Sequence, residues 1–388
     1  MFTSQNITPS SGITLDKGCL LPTKKYVFYS QKVEDIKKEL FETKNKLDGY
    51  YKKGEHPDDK FQRVTQFLYP GYTLKKKMAK CTEGVWTNAS SKIWQALHDM
   101  KLIDDKKEVV LFDNASFPGA WILSIHAYCK QHNIKLTWYA SSMLPTEGKT
   151  YLKDTYGLYK NYPDRWMMDD EHDGDVTKTD NQLFWEEKIG GKIDLYTSDL
   201  GFDVSDDFNK QELSHLHAHY GQVLTALLTL KIGGTMFTKH FTLFESFNVS
   251  LVALLSVLFD LTVYKPKTSR DRNSETYLAG LKYKGISPEL RRMLLRKLEN
   301  FSDIPLVHKK CLGRQFSKDM HEIVATIFAR QTEVLRYNFK MYDEVMKLPR
   351  RARIKFMLEK TDVDGFIHMY ESNYPVEKLA ISDRLDMQ

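Results

Sequence analysis

Cysteine is scarce in this chain: there are four in 388 residues, Cys19, Cys81, Cys129 and Cys311. They are widely spaced and no CxxC pair occurs. Neither a disulfide framework nor a cysteine zinc site is expected, and a reducing compartment is the simpler reading. Long apolar runs are also missing. The most apolar stretch, Val249–Val263, contains Asp260 and is too short to span a bilayer. The N-terminal MFTSQNITPSSG has no basic-then-apolar signal pattern. The expectation is a soluble cytoplasmic protein with no membrane partner. There is no internal repeat and no low-complexity tract. No GxGxxG follows the first strand-like run. That argues against a dinucleotide-binding dehydrogenase, whose glycines make room for a pyrophosphate.

What is present suits a folded chain. Apolar residues make up 41% and aromatics 12%, enough for one large core or two smaller ones. The net charge of +6 permits a polyanionic partner without requiring one. Three regions are legible. Residues 1–80 are polar and lysine-rich, with a helical stretch near Val33–Leu47. Residues 81–284 alternate strand-like and helix-like runs. Residues 285–388 read as mostly helical and basic, with Ile323, Ile327 and Leu335 among the apolar positions. Those positions could pack on the core, or could dock a partner protein or a second copy.

In the middle region Glu108–Asp113, Ile134–Tyr139, Lys192–Ser198, Thr235–Lys239, Leu261–Tyr264 and Thr276–Leu281 read as strands. Trp121–Lys130, Leu213–Leu230 (closed by Gly233-Gly234) and Val249–Phe259 read as helices. The alternation predicts an α/β fold with a mainly parallel central sheet flanked by helices, plus an N-terminal extension and a helical C-terminal region. In such sheets ligands bind beyond the carboxyl ends of the strands. Asp113, Asp199 and Lys239 all end predicted strands, so they should line one crevice.

Taken singly, the motifs have ordinary readings. Asp113-Asn114-Ala115-Ser116-Phe117-Pro118-Gly119-Ala120-Trp121 runs from a strand through a tight turn into a helix. It is either a plain βα loop or a cradle where backbone N–H groups meet a ligand. Gly174-Asp175-Val176 offers an acid in a loop, or a turn. Asp199 ends a strand, with Asp206 and Asp207 better placed to cap the next helix. Lys239 is either a snorkelling rim lysine or one held against Asp199. Glu275 follows a polar loop rich in charge, where it could be solvated. Lys92 opens a helix whose apolar face is Ile93, Trp94 and Leu97, and alone it reads as a solvated charge. His215 and His219 share a helix face, but no third ligand is apparent, so exposure or RNA contact is expected for His215, His217 and His219 rather than zinc. The clusters Lys75-Lys76-Lys77 with Lys80, and Arg350-Arg351 with Arg353 and Lys355, fit phosphate contact or a solvated face equally well.

In this order and context the segments resemble the FtsJ-like family of S-adenosylmethionine-dependent RNA ribose 2'-O-methyltransferases. NASSKIW, TSDLGFD, GGTMFTKHF and SRDRNSETYL match its Lys-Asp-Lys-Glu tetrad at Lys92, Asp199, Lys239 and Glu275. DNASFPGAW matches its cofactor loop and GDV its adenine-side acid. DTYGLYKNYPDRWM, FNKQELSHLHAHYGQVLTALL and NSETYLAG are closer still to versions in large cytoplasmic DNA viruses, African swine fever virus among them. The resemblance runs from about Thr87 to Leu281.

The resemblance implies catalysis by Lys92, Asp199, Lys239 and Glu275, with Lys239 central as a neutral base or as a cation. It implies S-adenosylmethionine held by Asp113, Asn114, Ser116, Phe117, Pro118, Gly119, Ala120, Trp121, Asp175 and Asp199, with no metal required. The implied substrate is RNA, first of all the first transcribed nucleotide of capped mRNA, with ribosomal or transfer RNA as alternatives. Host cytoplasm or virion is the implied location if the source is viral. Ala115 and Ala120 stand where the family usually has glycine, and Trp138-Tyr139-Ala140-Ser141 lacks the usual acid near the cofactor ribose. These departures keep open a second reading, a weakly active or inactive RNA-binding scaffold with the same fold.

Overall fold

The computed structural model describes residues 3–8, 18–51, 56–81, 86–104, 106–143, 154–202 and 209–387. Its centre is one sheet built from β1 (Thr3–Asn6), β2 (Glu108–Asn114), β3 (Lys135–Ser141), β4 (Ile193–Ser198), β5 (Leu230–Phe241), β6 (Asp260–Lys265) and β7 (Glu275–Leu281). The strand order is β1-β6-β7-β5-β4-β2-β3. β3, β2, β4 and β5 are mutually parallel. β7 runs against β5, β6 against β7, and β1 against β6. The fold is α/β with a mixed seven-stranded sheet flanked by helices; the parallel pairing expected from the sequence holds for β3-β2-β4-β5, while β7, β6 and β1 add three antiparallel pairings. From β2 the chain goes to β3 on one side and then returns to β4 on the other. The switch point therefore lies between the carboxyl ends of β2 and β4, where open sheets of this kind bind ligands.

Alternate residues of each strand enter separate cores. Phe112, Tyr196, Met236, Val263 and Leu278 face one. Leu111, Leu195, Phe237, Tyr264 and Tyr277 face the other. This is the period-two geometry of a sheet covered on both sides. The helix Ser246–Leu258 is buried almost all round, which explains its unbroken apolar composition.

The terminal regions join both cores. Ile323, Ile327 and Leu335, on the long helix Arg314–Val345, pack with Val33 and Leu40 of the Gln31–Asn45 helix. Ile367, Tyr370 and Tyr374 pack on the other face with Trp94.

Three features differ from expectation. Gly233-Gly234 do not close a helix. The Gln211–Thr229 helix stops before them and both glycines lie in β5, where Gly233 and Gly234 exchange backbone hydrogen bonds with Tyr283. The polar segment TSQN forms β1, an edge strand on β6 with no apolar alternation to announce it. Cys19 and Cys311 form a disulfide, against the expectation of none. The antiparallel bridge Leu20↔Val307 brings these remote segments side by side, and sequence spacing could not show that. Among the described residues no helix is long and apolar enough to cross a membrane.

Candidate active site

At the end of β2 the chain passes through Ala115, whose φ of 54° is left-handed, and reaches the helix Ala120–Gln131 by way of Gly119. Gly119 has φ 98°, and a Cβ there would lie 2.4 Å from Leu158 Cδ1, so only glycine fits. Asp113 is buried and organises this loop. Its Oδ2 accepts from Ser116 Oγ at 2.7 Å and its Oδ1 from Thr197 Oγ1 at 2.6 Å, which ties β2 and the loop to β4. Burial pushes the Asp113 carboxyl up to about 7, against the lowering effect of the two hydroxyls. Trp121 lines the cleft above this loop and also ties the loop to a neighbouring helix. Its Nε1 donates to Ala89 O at 3.1 Å and clamps the Asn88–Asp99 helix.

Above the loop lies a cleft of about 370 Å³, lined by Asp113, Ser116, Phe117, Pro118, Ala120 and Asp199 among others. That volume falls within the range of small-molecule sites. Beside it, Asn114 has both side-chain polar atoms buried without a hydrogen-bond partner among the described residues. Buried amides are rarely left unpaired, so this one fits a polar ligand with donors and acceptors of its own. A nucleoside-bearing methyl donor meets that description.

Two ion pairs meet at the edge of this cleft. Lys239 Nζ, at the end of β5, lies 3.2 Å from Asp199 Oδ1 and donates to Asp199 O at 2.6 Å. Lys92 Nζ lies 2.6 Å from Glu275 Oε1, and all four side chains are largely shielded from solvent. Strand register explains the convergence. β5 and β7 pair Lys239 with Tyr277 and Phe241 with Glu275, so Lys239 and Glu275 are diagonal neighbours on one sheet face. The Asn88–Asp99 helix packs on that same face and lowers Lys92 onto Glu275. Thr87 caps this helix in a reciprocal box with Ser90.

The charges reinforce one another. Burial alone would depress Lys92, but the Glu275 and Asp199 carboxylates outweigh it and raise its pKa. Burial would raise Glu275, yet Lys92, Lys265 and Lys239 bring it down to about 2. The Lys92–Glu275 pair is therefore charged at neutral pH.

A family model described as "FtsJ-like methyltransferase" matches residues 86–283. The chain belongs to the FtsJ-like methyltransferase family. "Probable methyltransferase EP424R" of African swine fever virus (strain Badajoz 1971 Vero-adapted) is 36% identical over 272 residues, covering 66% of this chain and 63% of that protein. "Uncharacterized protein L511" of Acanthamoeba polyphaga mimivirus is 31% identical over 271 residues, 68% of this chain and 34% of that protein. "Cap-specific mRNA (nucleoside-2'-O-)-methyltransferase 2" of Mus musculus is 29% identical over 329 residues, 80% of this chain and 42% of that protein. The chain thus spans under two thirds of the length of these relatives.

Other residues singled out in the FtsJ-like sequence lie elsewhere. Asp175 sits in a turn with its Oδ1 engaged by Thr177 N and Oγ1, and it does not line the cleft. His215 and His219 are fully buried and His217 stacks on Phe301, so the expected exposure or RNA contact does not hold for the first two. Their helix lies against β5 and turns that face inward. Burial pushes His215 down to about 4. Among the described residues no group of three or more His, Cys, Asp or Glu could hold a metal ion.

Lys75 lines the cleft, Lys77 pairs with Glu371, and Lys76 lies over the Tyr72 ring. Arg350 and Arg353 both hold Asp59, so part of the second basic cluster is an internal tie rather than a free surface. Glu275, readable as a solvated charge, is buried, and Lys92 is largely shielded with its side chain 13% exposed. The side chain of Lys80, and Asp206 and Asp207, lie outside the described residues.

Sequence reasoning missed three neighbours of the tetrad. Lys265 ends β6 and donates to Glu275 O at 2.8 Å, and burial takes it down to about 8. Ser269 Oγ donates to Glu275 Oε1 at 2.6 Å. Tyr277 Oη lies 3.5 Å from Asp199 Oδ1. A lysine closing an apolar strand was the signal that marked Lys239, and Lys265 carries it too.

Proposed function

We propose that this chain transfers a methyl group from S-adenosylmethionine to a ribose 2'-hydroxyl of RNA, on the first transcribed nucleotide of capped mRNA. The observation that carries the reading is the meeting of the Lys239–Asp199 and Lys92–Glu275 pairs at the rim of a cleft that the Asp113–Trp121 loop lines. When bound, S-adenosylmethionine supplies an electrophilic methyl group on a sulfonium. Asp113, Asn114, Ser116, Phe117, Pro118, Gly119, Ala120, Trp121 and Asp199 form or support its cradle. Asp175 supports it only through its turn.

The chain's task is to hold and activate a poor nucleophile. Lys239 Nζ already faces two oxygens of Asp199, an arrangement that suits a donating ammonium. It holds the 2'-oxygen and stabilises the charge that develops there. The proton would leave through the Asp199 carboxylate to water as the carbon–oxygen bond formed and the donor's carbon–sulfur bond broke, leaving a neutral thioether. Lys92, fixed by Glu275, is the second cation that holds the ribose. If the source is a virus, this reading goes with host cytoplasm or virion.

The cap assignment draws on the printed name of the mouse relative. Capped and uncapped transcripts of one sequence, incubated with labelled donor, test it. Label in the first nucleotide of the capped transcript alone supports the reading, and equal labelling of both removes the cap from it. The left-handed Ala115 favours the scaffold alternative. Calorimetric titration with S-adenosylmethionine decides between them, since a scaffold without donor affinity gives no heat.

A further inference from the structure

The terminal regions build a second cavity that the methyl-transfer scheme does not use. It encloses about 720 Å³ between the segment 65–70, the β6–β7 loop, the long helix Arg314–Val345 and the helix Val363–Asn373. Lys267, Arg270, Arg272 and Arg330 line it together with Tyr69 and Tyr337. Asp271 also lines it; Arg330 is shared between Asp271 at 3.8 Å and Glu333 at 3.1 Å, Arg272 donates to Thr65, and the other two cations have only soft partners among the described residues. Lys267 Nζ lies 3.8 Å from Met369 Sδ, and the Arg270 guanidinium lies 5.5 Å from the centre of the Tyr69 ring. Tyr69 is held in place, since it donates through its hydroxyl to Thr268 O and its ring fills the space a Cβ on Gly71 would need. Tyr337 is 44% exposed, an aromatic face left open at the rim.

The cavity adjoins the tetrad. Ser269 lines it and donates to Glu275, and the charge of Arg270 reaches Lys92. The donor cleft borders the Asp199 side of the tetrad. Cationic groups and the open ring of Tyr337 together match a ligand with phosphates and a flat base.

We propose that this cavity binds a nucleotide of the RNA strand next to the one whose ribose is methylated, with its phosphates on Lys267, Arg270 and Arg330 and its base on Tyr337. The proposal rests on the RNA reading above. It makes the N- and C-terminal regions part of the substrate site and gives the reaction a second point that sets register on the strand.

The test is fluorescence anisotropy with a labelled capped RNA octamer, using the full chain without donor. Arg270→Ala with Arg330→Ala should weaken binding at least about tenfold and flatten its salt dependence by roughly 0.7 per lost phosphate contact. Tyr337→Ala should weaken it about tenfold while Tyr337→Phe restores it. Lys135→Gln, which removes an exposed cation at the opposite end of the parallel strands, should leave affinity unchanged. Melting curves matching the wild type exclude misfolding, and if the double variant does not fold, the Tyr337 pair decides. Wild-type affinity in the cavity variants, or an equal loss in Lys135→Gln, overturns the proposal. Full methyl transfer by those cavity variants would overturn it while leaving the enzyme reading intact. Binding that follows the predictions without any methyl transfer would sink the enzyme reading alone.

Discussion

Gly201 and Lys239 share one tight space. A Cβ on Gly201 would lie 3.0 Å from Lys239 Nζ and 3.2 Å from Cε, closer than ordinary van der Waals contact. Gly201 therefore admits the lysine that reaches back to Asp199. Gly201→Ala should push the ammonium aside by a few tenths of an ångström. We expect transfer to fall by about tenfold with donor affinity unchanged, since small misplacements at a reacting centre are costly. Parallel measurements of kcat and donor Kd check this. A loss of donor binding instead would place Gly201 in the cradle.

The Lys92–Glu275 pair makes a stability prediction. Removing one partner of a buried ion pair leaves an uncompensated charge, typically at a loss of about 3–5 kcal/mol, whereas replacing both partners by apolar groups is often neutral. Glu275→Leu should thus lower the unfolding free energy far more than Lys92→Met combined with Glu275→Leu. Urea denaturation of both single variants and the double variant measures the coupling. Additive losses would mean that the pair contributes nothing as a pair.

Stability should change with pH at both ends of the range. Glu275 is held at about 2 against an ordinary 4.5. Its contribution is complete above the unfolded value and is lost as pH falls from there towards about 2. Lys265 is held at about 8 against an ordinary 10.5. Between those values the unfolded chain binds more protons, so stability rises with pH. Glu275→Gln should flatten the acid limb of a denaturation-midpoint profile and Lys265→Met the alkaline limb. Limbs unchanged in the variants would count against the buried network.

Ala115 offers a gain of function. Its left-handed φ of 54° penalises a residue with a Cβ by roughly 1–2 kcal/mol, a penalty glycine escapes. Ala115→Gly should relax the loop and, by removing a methyl group from the cleft wall, tighten donor binding by a few-fold. Calorimetry on the two proteins reads the difference. Weaker binding by the glycine variant would show that the methyl group helps shape the cleft.

Much of this site was readable because its parts end regular elements. Apolar runs with period two or near four announced the middle strands and helices, and a charged residue closing each strand marked Asp113, Asp199 and Lys239. What escaped depended on contacts between remote segments. Lys92 reads as a surface charge until Glu275 is brought beneath it by the β5–β7 register. β1 is polar and exists only because β6 offers it an open edge. The histidines at 215 and 219 look exposed in a polar stretch, but their helix turns that face into the core. The Cys19–Cys311 bond follows from tertiary neighbours that no spacing rule records.

The most direct test compares wild-type chain with Lys239→Ala on a capped transcript, reading labelled methyl groups as 2'-O-methylated nucleoside after digestion. The account predicts transfer by the wild type, a loss of at least about a hundredfold in the variant, and equal donor binding and melting behaviour in both. Undiminished transfer by Lys239→Ala, or methylation that persists when the acceptor is a 2'-deoxynucleotide, would contradict it.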